Sequence, residues 1–152
     1  MNRPLTKLAG VPVAPTLDQI LKNYPNDVRV VYKMHPLPFH PNAMPAAEAA
    51  MAANAQGKFA PMNEKLLANS SALSRDKYLQ FATEIGLDVK KFTSDIDAQA
   101  NKKAIDEQTK EAMNVGATGT PASFVNGRFI SGAAPYESFK KLIDEEIAKA
   151  TK

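Results

Sequence analysis

The chain has 152 residues, 44% hydrophobic and 23% charged, with a formal net charge of +3 and no cysteine. That length can bury a substantial core, and the composition excludes long disorder. Its lysines are spread among acids along the predicted helices instead of forming a basic stripe with interleaved aromatics, which argues against nucleic acid as a partner.

No run approaches the roughly 20 apolar residues that span a bilayer, so membrane insertion is not expected. Residues 1–10 lack the apolar middle of a secretory signal. Residues 1–6, Met-Asn-Arg-Pro-Leu-Thr, do not read as a buried strand, because proline is confined to sheet edges and strand starts. Pro12 and Pro15 with Thr16 predict a helix entrance, and Leu17, Ile20, Leu21 and Tyr24 then recur on one face. Pro25-Asn26-Asp27 stops that helix, and the β-branched run 28–32 predicts a strand. Four prolines between Pro36 and Pro45 stiffen the connection that follows.

The alanine-rich stretch 42–55 has high helix propensity and is ended by Gly57. Phe59, Met62, Leu66 and Leu67 continue the helical spacing. Ser74 caps a helix that would bury Tyr78, Phe81, Ala82 and Ile85, stopped by Gly86. Asp88 caps the next, which carries Val89, Phe92 and Ile96. A long polar helix is predicted over about 98–115, and Pro135 opens a final amphipathic helix with Phe139, Leu142, Ile143 and Ile147 inward. Between these two lies Gly116-Ala117-Thr118-Gly119-Thr120-Pro121-Ala122-Ser123-Phe124-Val125-Asn126-Gly127. Thr120 precedes a proline and is biased toward extended backbone. Residues 122–125 form a short apolar run, and Asn126-Gly127 is a strong two-residue hairpin signal.

In this order the Gly-Thr-Pro strand and hairpin, the Pro15-Thr16-Leu17-Asp18 helix, the strand from Val28 and the Pro36-Leu37-Pro38-Phe39-His40-Pro41 connection resemble the DsbA-like thiol:disulfide oxidoreductases. The resemblance implies an α/β thioredoxin-like fold over residues 1–152, with a helical insertion at about 42–115. It also implies a cis bond before Pro121, peptide contacts at Thr120 and Pro121, and a periplasmic or extracytoplasmic location. The family works through a Cys-x-x-Cys pair at the start of the first helix, where the helix N-terminus stabilises a thiolate. Counting back from Pro15 places that pair at about residues 7–10, which here read Lys-Leu-Ala-Gly. With no cysteine in the chain, dithiol exchange is excluded and no catalytic residue is assigned.

The same resemblance makes the chain look truncated at its N-terminus, a single incomplete domain without its central first strand. Unpaired buried amides and carbonyls each cost about 1–3 kcal/mol, so something must fill the gap. Residues 1–6 despite Pro4, direct pairing of the flanking strands, or a strand from a second copy would each do so. The expectation is a homodimer, by strand exchange or edge pairing.

Two functions follow. The first is a family member inactive in disulfide exchange; the second is a non-catalytic module that holds an unfolded or extended peptide at its proline loop by strand addition. His35 and His40, five apart in a proline-rich loop, have no nearby carboxylate or thiol and read as structural, so no metal or cofactor is expected. Met44, Met51, Met62 and Met113 sit at core spacing and read as packing. Lys140 with Asp144 and Lys141 with Glu145 read as surface helix pairs, and the sequon at Asn69 carries no weight.

Overall fold

Pro4–Leu8 forms a strand, β1, inside the sheet of this protein. The structure, a computed structural model, describes residues 4–8 and 14–150. After β1 come α1 (Ala14–Asn23), β2 (Arg29–Lys33), α2 (Ala43–Asn54), α3 (Phe59–Ala68), α4 (Arg75–Glu84) and α5 (Val89–Asp97). They are followed by α6 (Lys102–Asn114), β3 (Ala122–Val125), β4 (Arg128–Ser131) and α7 (Tyr136–Ala150). The chain divides into two compact units: one made of the described residues of Met1–His35 and Lys110–Lys152, the other of Pro36–Thr109.

The first unit is built on a four-stranded sheet in the order β2-β1-β3-β4. β1 runs parallel to β2, from Pro4 opposite Arg29 to Leu8 opposite Lys33. On its other side it is antiparallel to β3, from Leu5 opposite Val125 to Leu8 opposite Ala122. The expectation of a missing or borrowed central strand is therefore corrected: the chain fills the position with its own residues. Pro4 does not prevent this, because it is the first residue of the strand, where a missing N–H is tolerated, and residues 5–8 all have donors. The gap that motivated strand exchange is closed within one chain.

β3 and β4 form the hairpin predicted at Asn126-Gly127. Both turn residues have positive φ, 49° and 86°, the conformation a two-residue hairpin of this type requires and which glycine adopts without a Cβ clash. Successive residues of β3 alternate between two apolar clusters, as the pleat dictates. Val125 joins Leu17, Ile20, Ile130, Phe139 and Ile143 in the larger core, on which Tyr32, Leu142 and Ile147 also pack. Ala122 joins Ala112 and Ala117, with Phe124 against them.

Most of the predicted inward residues of α1 and α7 take that role, but Leu21 is 41% exposed, so the buried stripe of α1 is narrower than its apolar spacing. Tyr24 links the two helices by donating its hydroxyl to Asp144 at 2.6 Å. Arg128 pairs with Glu145, tying β4 to α7.

The helical unit centres on α2, whose Ala47, Ala49, Ala50, Ala52 and Ala53 are all buried. Small side chains around most of its circumference let α3, α4 and α5 approach closely, and these bring in Met62, Leu66, Tyr78, Phe81 and Phe92. Its helix ends follow the predicted signals. The Ser74 hydroxyl accepts from the Lys77 N–H at 3.3 Å, and the Asp88 carboxylate from the Lys91 N–H at 3.0 Å. Gln56 joins α2 to the start of α5, accepting from the Asp88 N–H at 2.8 Å. The long polar helix starts later than its composition suggests: residues 98–101 form a turn, with Gln99 at φ 48°. Met113, expected to pack, is 50% exposed.

Candidate functional site

The loop between α6 and β3 places Thr120 and Pro121. α6 closes with the Ala117 N–H donating to the Ala112 carbonyl at 2.9 Å, and the small side chains of both residues are buried there. The backbone then runs through Thr118 and Gly119 to a cis Thr120–Pro121 peptide bond. Both residues of that bond are half-buried. The Pro121 carbonyl accepts from the Gly132 N–H at 2.9 Å, and Ala122 is already held between Leu8 and Ser131. Thr120 lies just outside this network: among the described residues, no hydrogen bond engages its N–H or C=O. Among the described residues it is an unengaged backbone position at the end of a paired strand.

Of the positions where the redox pair was counted, Lys7 and Leu8 are the last residues of β1, while Ala9 and Gly10 lie outside the described residues. Lys7 stands between Tyr32 and Ser123 in the register, and Leu8 between Lys33 and Ala122. There is no thiol on any element of this site.

A charge pair joining β2 and α6 was not singled out from the sequence: Lys33 Nζ lies 2.8 Å from Glu111 Oε2, with both partners reached by solvent. Ser123 was also missed. It is 1% exposed and its hydroxyl has no partner among the described residues, yet in the sequence it is only one small polar residue in an apolar run.

The two histidines differ in setting. His35 is buried just beyond β2, neither ring nitrogen is hydrogen-bonded to a described residue, and burial pushes its pKa below the ordinary 6.5. His40 is exposed, its ring tilted against that of Phe39 at 4.6 Å between centroids. Among the described residues, no group of three or more His, Cys, Asp or Glu side chains is arranged to hold a metal ion. Nor is any helix there long and apolar enough to cross a membrane. Asn69, the sequon residue, donates its side-chain amide to the Lys65 carbonyl at 2.8 Å.

A mixed sheet with α1 and α7 packed on it, a Thr-cis-Pro entry to the antiparallel hairpin, and helices α2 to α5 between β2 and β3 define a thioredoxin-like domain of the DsbA kind. The chain belongs to the DSBA-like thioredoxin domain family, whose model matches residues 16–144. The thiol-disulfide exchange protein alpha-DsbA2 of Wolbachia pipientis superposes with a TM-score of 0.82 at 18% identity, over 93% of this chain and 80% of its own. A periplasmic thioredoxin-like protein of Salmonella enterica serovar Typhimurium gives 0.76 at 25% identity, over 95% and 84%.

Curated relatives include a Na(+)/H(+) antiporter NhaA of Herminiimonas arsenicoxydans, 34% identical over 116 residues, which are 76% of this chain and 18% of the antiporter. An antiporter of Salinispora tropica is 33% identical over 137 residues, 90% of this chain and 21% of its own. The chain thus spans about a fifth of the length of these relatives, and the ion exchange in their names is not carried over to it.

Proposed function

We propose that this chain is a redox-inactive DsbA-like domain. The carrying observation is a family fold, complete through its central strand, on a sequence with no cysteine. Disulfide exchange proceeds by thiolate attack through a mixed disulfide, and no other side chain supplies that chemistry. The test is insulin reduction by the chain as it stands, beside a Lys7→Cys/Gly10→Cys variant that restores the Cys-x-x-Cys spacing. Silence from the first is expected; turnover by it would overturn the reading. Activity gained by the variant would establish that the scaffold can still position the pair.

A second reading is favoured by Thr120. Its unengaged N–H and C=O suit an extended peptide added at the end of the paired strands, with main-chain hydrogen bonds supplying the affinity. Such a domain would hold unfolded polypeptide without oxidising it. In an NMR titration with an extended, cysteine-free peptide, the Thr120 amide is expected to shift with the bound fraction, and Thr120→Arg to weaken binding by crowding the position. A Thr120 resonance that stays in place while peptide binds elsewhere would remove this reading.

The family suggests a periplasmic or extracytoplasmic setting. Any homodimer would use edge pairing through β2 or β4, the strands at the ends of the sheet order.

A further inference from the structure

Glu48 is the one charged residue in the alanine-rich helix α2, and it is 3% exposed. Its Oε2 accepts from the backbone N–H of Asn101 at 3.2 Å, immediately ahead of α6. Its Oε1 has no hydrogen-bond partner within reach among the described residues. The acceptor is well placed, because the first amides of a helix lack intrahelical partners and carry the positive end of its dipole. The Asn101 side chain also pulls on this carboxylate, but Oε1 lies within hydrogen-bond distance of no described group, which is costly when the carboxylate is charged and much less so when it is neutral.

The surrounding charges do not remove that cost. From α6, Lys102 favours the ionised form and Asp106 opposes it, and these two are joined to each other at 2.8 Å. The charged side chains of α3, α4 and α5 include three surface pairs, Lys65 with Glu84, Arg75 with Asp97 and Lys91 with Asp95. Tyr78 is the titratable group among the buried side chains of those helices, and burial keeps its phenol neutral.

We propose that Glu48 is a proton-operated latch on the turn between α5 and α6: protonated, it stays buried and holds Asn101; ionised, it draws solvent in and the turn loosens. Burial raises its pKa above the ordinary 4.5, against the opposing pull of Asn101 and Lys102. With the folded value raised, the contribution to stability is fully present below pH 4.5 and is lost as pH rises through the folded value. The latch is therefore tight in acid and loose in base.

Hydrogen exchange on the whole chain tests it, followed at the amides of residues 98–105 between pH 4 and 8 and corrected for the intrinsic chemical rate. A several-fold loss of protection with rising pH is expected, and Glu48→Gln, which keeps an acceptor for Asn101 but cannot ionise, should flatten the profile. Equal pH dependence in the two proteins, or no dependence in the parent, would overturn the proposal. If the glutamine variant does not fold, surface variants decide. Lys102→Met should move the transition to higher pH and Asp106→Asn to lower pH; shifts in one direction, or none, would overturn it.

Discussion

Thr6 sits at the middle of β1, between Val31 on one side and Phe124 on the other, so Thr6→Pro is the sharpest perturbation of the sheet. Every amide of a strand flanked on both sides faces one neighbour or the other, and proline removes a ladder bond that an interior strand cannot lose without a penalty. The orphaned carbonyl alone costs about 1–3 kcal/mol. Against a typical domain stability of about 5–15 kcal/mol this is a large fraction. With a urea dependence of about 1–3 kcal/mol per molar, the unfolding midpoint should fall by roughly 1 M. Urea titrations followed by far-ultraviolet circular dichroism measure this directly, with Thr6→Val as a control that retains the backbone donor. An unchanged midpoint in the proline variant would refute the placement of β1 at the sheet centre. A collapse of both variants would instead assign the effect to the side chain.

Two further outcomes are expected. Phe139→Ala empties a fully buried site between α7 and the sheet, and should lower stability by about 3–5 kcal/mol in the same titration. His35 is held neutral by burial, with its folded pKa below 6.5; its contribution is present above pH 6.5 and is lost as pH falls from there through the folded value. The parent should therefore lose more stability than His35→Leu between pH 7.5 and 5, and parallel losses would show that another group governs the acid limb.

Local signals in the sequence were strong where a single residue sets the backbone or fills an orphan amide. Asn126-Gly127 requires positive φ, and Ser74 and Asp88 offer oxygens to helix N-termini, so turn and caps are legible without tertiary information. The Gly-Thr-Pro context likewise pointed to the cis bond before Pro121. β1 was not legible, because Pro4, Thr6 and Lys7 contradict the composition of a central strand, and only pairing with two distant segments makes them one. Glu48 and His35 illustrate a second blind spot. Each is polar in a stretch where polar residues usually face water, and each is buried because of what surrounds it in the fold. Leu21 and Met113 fail the other way: both match a helical apolar period, yet they are 41% and 50% exposed.

The position of β1 also has a consequence for how the chain assembles. Its antiparallel partner β3 lies beyond the whole of residues 36–109, so the centre of the sheet can close only when the two ends of the sequence meet. Loop-closure entropy must be overcome before those pairings stabilise anything, and folds dominated by such distant contacts form slowly. Helices α2 to α5, by contrast, are joined by short connections and contact one another within residues 43–97. During synthesis the helical unit can therefore consolidate first, while β1 and β2 wait, with open edges, for β3 to emerge.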